Sequence, residues 1–171
     1  MKQIGFILPI LACGCVQVTV PPSDAASGSP SGSPLSSGIY RGTTFCEFEA
    51  EENGQTATLT EETSEVLVIS ESGIPMRNGQ EEYDGRTERD SFSGIDFIAR
   101  VAGVSVFPNG VNIITVGDAT TEGARLSFRE EAVYRPLRNG QIEWTSDLFM
   151  AFNADTESFS AAGICTGIFS Q

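Results

Sequence analysis

Carboxylates and cysteines are the residues of this chain that could support chemistry. The sequence contains no histidine, and its only lysine is Lys2. Without histidine, a Ser-His-Asp or Cys-His nucleophile and a histidine-bound zinc or haem are excluded. Lys2 lies in an N-terminal leader, so Schiff-base chemistry and a lysine general base are excluded from the processed chain.

The acidic residues form two clusters that could hold a cation. The first lies in and around a predicted loop and consists of Glu81, Glu82, Asp84, Glu88, Asp90 and Asp96. Its spacing matches no calcium-loop motif, because Gly85 is not preceded by alternating Asp or Asn ligands. The second is a turn with Asn153, Asp155 and Glu157, where Asn and Asp favour the turn conformation itself. We therefore expect solvated acidic loops and no metal site.

Paired carboxylates alone suffice for glycoside hydrolysis. No two carboxylates in the sequence stand out as such a pair, and a small barrel has little room for a long substrate groove. A carboxylate-based hydrolase or a calcium-binding protein therefore remains a minor alternative. We expect neither catalysis nor a cofactor.

Glu130 is the carboxylate whose position is most informative. Strict alternation places it on the same side of a strand as Leu126, Phe128 and Ala132, and a carboxylate in a core needs a partner or loses its charge. A β-bulge at 129–131 that rotates Glu130 outward is the favoured interpretation. If it points inward, it could pair with an arginine and form the polar handle of a ligand pocket.

Two aromatic residues are candidates for lining such a pocket with Glu130. Tyr134 lies on the same predicted strand face, and Trp144 lies on the inward face of the next strand. Residues of this type are more often part of a core than of a binding site. Both interpretations are kept.

Alternation of apolar and polar residues predicts strands through the last third of the chain, from Glu122 to Phe169. Asn139-Gly140 and Asn153-Ala154-Asp155 supply the two turns of an antiparallel meander. Upstream, 95–107 shows mixed helical and β-branched character, from which we predict a strand, whereas the polar segment 86–93 predicts a loop. The count is about eight antiparallel strands, as an up-and-down barrel or a meandering β-sandwich.

The first and last predicted strands each carry a cysteine on the more apolar face. These are Cys46 and Cys165. If they are bonded, the two strands lie side by side, which is what closing a sheet into a barrel requires. We expect this disulfide to close the domain.

The N-terminus contains a positively charged start, an apolar run from Ile4 to Ala12, and then Cys13-Gly14-Cys15. The run is too short to span a bilayer and is typical of a signal peptide. The segment Ile10-Leu11-Ala12-Cys13-Gly14-Cys15 resembles the lipobox of bacterial lipoproteins. That resemblance implies cleavage, a lipid on the new N-terminal cysteine, and a lipid-anchored protein of the cell envelope.

Two cysteines could accept the lipid. Cleavage before Cys15 leaves Cys46 and Cys165 as a pair, whereas cleavage before Cys13 leaves an additional free thiol in an oxidising compartment. We therefore favour Cys15, with Cys13 as the alternative. The residue after the cysteine is Val16 or Gly14 rather than Asp, and by the family's sorting rule this implies the outer membrane.

A segment rich in Pro, Ser, Gly and Ala separates the leader from the domain. Its composition cannot build a core, and its reach as a flexible chain is roughly 25 Å. The predicted organisation is a signal peptide at 1–14, a lipidated tether at 15–38 and a β-barrel domain at 39–171.

The domain's first strand begins with Gly38-Ile39-Tyr40, which is similar to the Gly-x-Trp motif of lipocalins. Tyr replaces Trp here, and the arginine that the family places after its last strands is missing, because no arginine follows Arg138. The resemblance implies a barrel able to carry a small apolar ligand.

Charge restricts the choice of partner. Once Lys2 is removed, nine arginines face 23 carboxylates, and 9 minus 23 gives a net charge of −14. Such a field repels nucleic acid and anionic lipid surfaces. We expect a monomeric, non-catalytic lipoprotein that binds an envelope protein or a surface polymer, with a lipocalin-like carrier as the alternative.

Overall fold

The computed structural model describes residues 32–171 except 53, 93–94, 122–123 and 155–157. The described chain is all-β, as expected. Its strands are β1 (Gly38–Glu52), β2 (Gln55–Ile69), β3 (Pro75–Arg77), β4 (Gln80–Glu81), β5 (Thr87–Phe92), β6 (Ile95–Phe107), β7 (Gly110–Thr121), β8 (Ala124–Pro136), β9 (Ile142–Ala154) and β10 (Ser158–Ser170).

The strands form one antiparallel up-and-down sheet that is curled into a half-barrel. Their order is β4-β3-β2-β1-β10-β9-β8-β7-β6-β5, so β1 lies between β2 and the last strand. The described residues contain ten strands, and the predicted count of eight is wrong because short strands occur near the sheet edges.

The predicted loop at 86–93 is also wrong, because β5 pairs along its length with β6, from Thr87 opposite Arg100 to Phe92 opposite Ile95. Polar sequences are depleted in strands but adopt them where a neighbouring strand supplies backbone partners. The connector between β4 and β5 prolongs this pairing: the Gly85 N–H donates to the Val101 carbonyl at 2.9 Å.

The strand predicted at 95–107 is confirmed as β6. A register shift between Val101 and Gly103 changes which alternate residues face the core. Val101 is buried on one side of the shift, and Val104 packs against the same core cluster on the other. This β-bulge accounts for the irregular apolar spacing that resembles a helix in the sequence.

The core lies on the concave side of the sheet in two clusters. The larger cluster comprises Leu35, Tyr40, Leu67, Ile69, Ile74, Val101, Val111, Ile113, Ile142 and Phe169. The smaller cluster comprises Phe97, Leu126 and Met150. Inward residues of the C-terminal meander such as Leu126, Ile142 and Met150 are thus buried, which confirms the predicted faces of β8 and β9.

The disulfide between Cys46 and Cys165 is confirmed. The two cysteines are directly opposite in the pairing of β1 with β10. The bond therefore joins the first and last strands of the sheet, across a sequence separation of 119 residues.

Candidate functional site

Glu130 points to the concave side of the sheet, and its side chain is 14% exposed. The pairing of β8 with β7 and with β9 is continuous through Arg129, Glu130 and Glu131. The favoured prediction of a β-bulge at this position is therefore wrong. The inward carboxylate is tolerated because it has polar partners that compensate for its removal from water.

Those partners come from distant parts of the chain. The Arg77 guanidinium donates to Glu130 Oε2 at 3.1 Å, and the Ser146 hydroxyl donates to Oε1 at 3.1 Å. Arg77 lies in β3, and four strands separate β3 from β8 in the sheet order. The ion pair therefore spans the concave side of the curled sheet rather than linking neighbouring strands.

The pair belongs to a larger ion-pair network formed by Arg77, Glu82, Arg86, Glu88 and Glu130. Arg77 Nε lies 3.3 Å from Glu82, and Arg86 lies 3.2 Å from Glu82 and 3.4 Å from Glu88. Arg86 also donates to the backbone carbonyl of Arg77 at 3.0 Å. These contacts fix the connector between β4 and β5 against the interior.

Burial and charge act against each other in the network. Burial raises the pKa of Glu82, while Arg77 and Arg86 oppose the shift. Removal from water lowers the pKa of Arg77, but the carboxylate charges of Glu130 and Glu82 oppose this, and the pKa is raised above the usual arginine value. Arg77 thus stays cationic at every accessible pH.

Glu65 on β2 lies near this network, but no described basic side chain forms an ion pair with it. Burial raises its pKa, the Thr44 hydroxyl opposes the shift, the charges of Glu130 and Glu61 add to it, and the charge of Arg77 partly offsets it. The Thr44 hydroxyl donates to Glu65 Oε1 at 3.3 Å. The charge of Glu65 is therefore only partly compensated.

Part of the first acidic cluster is bound by the chain itself. Glu82 and Glu88 pair with Arg86, and Asp84 accepts a hydrogen bond from the Val104 N–H at 2.5 Å. Within the part of the chain that the structure describes, no group of three or more acidic or cysteine side chains could hold a metal ion. Asp155 and Glu157 of the second cluster lie outside the described residues.

Tyr134 and Trp144, the predicted pocket residues, are directly opposite each other on β8 and β9. Both are partly buried and pack against the larger core cluster. Of the three predicted ligand-binding residues, Glu130 joins the ion-pair network, and the two aromatic residues are mainly part of the core.

Small inward residues on β10 could have left space for a ligand. A Cβ at Gly163 would lie 2.3 Å from the ring of Phe48, and a Cβ at Gly167 would lie 3.0 Å from the rings and methyl groups of Phe169 and Thr44. The space beside each glycine is therefore filled by a neighbouring side chain.

The convex side of the sheet carries an apolar surface that sequence reasoning missed. Phe45, Phe149, Ile164 and Ile168 are 45–57% exposed on the adjacent strands β1, β10 and β9. Phe45 lies opposite Thr166, so the isoleucines on either side of Thr166 are its diagonal neighbours. We refer to these four residues as the outer apolar patch.

A sequence signal for this patch does exist. The last strand has apolar residues on both faces, since Ile164 and Ile168 alternate with the buried Cys165 and Phe169. A strand of this kind is either covered on both sides or exposes an apolar face.

The predicted lipidation sites Cys13 and Cys15 lie outside the described residues. None of the residues that are described forms a helix long and apolar enough to cross a membrane. Comparison of the chain with protein-family models, with curated proteins and with solved structures finds no match.

Proposed function

We propose that this protein is a lipid-anchored component of the bacterial cell envelope whose β-domain binds a protein partner or a surface polymer. The observation that carries the proposal is the outer apolar patch. Contiguous exposed apolar patches often mark interaction surfaces. Two of the four residues, Phe45 and Phe149, are aromatic, a residue type enriched at protein interfaces.

The anchor rests on the lipobox-like segment and the tether that follows it. We propose Cys15 as the lipidated residue, with Cys13 as the alternative, and the outer membrane as the destination. The part of the predicted 15–38 tether that precedes residue 33 would hold the domain away from the headgroups, because Leu35 is buried in the larger core cluster and the Ser33 hydroxyl donates to the Gly73 carbonyl. The net charge of −14 of the processed chain would keep the domain from adsorbing to an anionic surface.

A non-catalytic role is supported by how the polar groups are used. The arginines and carboxylates of the interior ion-pair network bond to one another rather than converging on an open position.

Site-specific photo-crosslinking in the source organism's envelope tests the proposal. A photoreactive residue at Ile164 of the full lipidated chain is expected to give a discrete crosslinked species. The same residue at Arg125, which is exposed on β8, is the control and is expected to give none. Phe45→Ser should abolish the Ile164 crosslink.

Two results would overturn the proposal. Equal crosslinking at Ile164 and Arg125 would show that the outer apolar patch is not a specific surface. A crosslinked species with twice the mass of the chain would assign the patch to self-association instead of to a different macromolecule.

A second candidate is a carrier of a small apolar ligand, and the inward position of Glu130 favours it. A carboxylate among apolar residues is the kind of polar handle that orients a ligand. Against this, Glu130 already bonds to Arg77 and Ser146. A bound passenger that is released when Glu130→Gln is introduced would support the carrier.

A further inference from the structure

The second strand has a long free edge. Each residue of β2 from Gln55 to Ile69 is paired with β1, but on its other side β2 pairs with β3 only at Val68 and Ile69. No described strand covers the edge at 55–67, which we call the β2 free edge. Every second residue along it therefore presents an N–H and a C=O that no described strand satisfies.

Proteins normally protect such an edge. Proline, charged side chains such as lysine, inward-pointing charges, bulges and very short strands are the usual devices. The segment at 55–67 contains no proline and no basic residue, and its register with β1 shows no bulge. Its charged residues are three glutamates, which protect the edge against acidic strands but not against a basic extended segment.

Charge decides what kind of segment fits. The hairpin segment from Gly42 to Val66 contains seven glutamates and no basic residue. Three of them, Glu61, Glu62 and Glu65, lie on β2 itself, and no described basic side chain forms an ion pair with them. A strand placed against this edge would bring its side chains close to these carboxylates.

A second copy of the chain does not fit. Antiparallel pairing of the β2 free edge with itself would place Glu61 and Glu62 of one copy opposite those of the other, because they lie at the middle of the segment. Like charges directly opposite destabilise a strand pair. A segment with lysine or arginine at alternate positions would instead be attracted.

We propose that the β2 free edge binds an extended, basic segment of a partner protein, which adds to the sheet as a further strand. Backbone hydrogen bonds would supply affinity, and salt bridges to Glu61 and Glu65 on one face and to Glu62 on the other would supply specificity. The inference rests on the proposed binding function and names the partner's chemistry. The only partly compensated charge of Glu65 gives a cation a further favourable position.

A strand-length peptide of alternating lysine and valine is the probe, used with the full disulfide-bonded chain. The variant Glu61→Gln/Glu65→Gln removes two edge charges and is expected to weaken peptide binding about tenfold. This is the effect of losing two surface ion pairs that each contribute somewhat under 1 kcal/mol. Glu47→Gln/Glu49→Gln removes the same charge from exposed positions on β1 and is the matched control, with an expected change of less than about threefold.

Hydrogen exchange tests whether the bound peptide pairs with β2 as an added strand. Alternate backbone amides of the β2 free edge are expected to gain protection when the peptide binds, and a peptide with proline at every second position is expected not to bind. Equal weakening in the two variants, or binding without protection of β2 amides, would overturn the inference. Failure of the peptide to bind while Ile164 still crosslinks specifically would leave the proposed function standing and reject the edge as its site.

Discussion

Opening the Cys46–Cys165 disulfide is expected to remove a large part of the domain's stability. The bond closes a chain segment with a sequence separation of 119 residues. Loop-closure entropy for that length corresponds to about 4.9 kcal/mol of free energy of unfolding at room temperature. This is an upper figure, since strain in the folded protein and residual order in the unfolded chain both reduce it.

The assays are thermal and denaturant unfolding of the oxidised and the reduced protein. At roughly 3–5 °C per kcal/mol for a domain of this size, the full loop-closure effect corresponds to a fall in melting temperature of about 15–25 °C on reduction. The dependence of unfolding on denaturant should steepen, because the reduced unfolded chain expands further. Cys46→Ala/Cys165→Ala should match the reduced protein and should not respond to reductant.

The outcome that refutes this reasoning is specific. If reduction changes the free energy of unfolding by less than about 1 kcal/mol, the bond does not constrain the unfolded chain in the way its position in the sheet implies. The 12 residue pairs between β1 and β10 would then hold the first and last strands together without it.

Three further predictions concern the interior. Glu130→Gln should lower the free energy of unfolding by roughly 1–3 kcal/mol, a moderate loss because its partner Arg77 is 39% exposed and keeps Glu82 as a second carboxylate. The double mutant with Arg77→Met should lose less stability than the sum of the two single-mutant losses, and strict additivity would contradict the pairing. Glu65→Gln should stabilise the protein near neutral pH and have little effect near pH 4. Because the pKa of Glu65 is raised in the folded protein, ionising this carboxyl group costs the wild type stability as the pH rises above the ordinary value of 4.5. Parallel curves of stability against pH for the two proteins would argue against this. Gly163→Ala should cost roughly 1–3 kcal/mol because the new methyl group lies 2.3 Å from neighbouring atoms, while Gly103→Ala, with nothing within 4 Å, should be near neutral in thermal unfolding.

The faces of the long strands could be predicted from the sequence because one side of the sheet is buried. A shift of one residue would move Ile142 and Met150 from the core to solvent, so alternation alone determines the inward set of β9. The same reasoning placed Cys46 and Cys165 on inward faces of the terminal strands, and the disulfide followed from that position.

The partner of Glu130 could not be predicted. Arg77 is 53 residues away in sequence and lies in a three-residue strand with no periodicity of its own. Alternation correctly placed Glu130 inward, but the cost of burying a carboxylate made a β-bulge look preferable. Only the curvature of the sheet, which brings β3 across from β8, supplies the compensating charge.

The extent of β5 and the β2 free edge could not be predicted for a related reason. Whether a polar segment such as 87–92 becomes a strand depends on a neighbour with free backbone groups, and this is a property of the whole sheet. Equally, the sequence of 55–67 predicts a strand, but it does not indicate which of the strand's two edges is paired.

Native mass spectrometry of the processed protein, extracted gently from its own membranes, tests the central claim most directly. The claim is that the domain is lipid-anchored and that side chains fill its interior, so that partners bind at its surface. It predicts one species that begins at Cys15, carries acyl groups, lacks the two hydrogens lost in the disulfide, and holds no small passenger. An unacylated chain, or a homogeneous extra mass that disappears on denaturation, would contradict it.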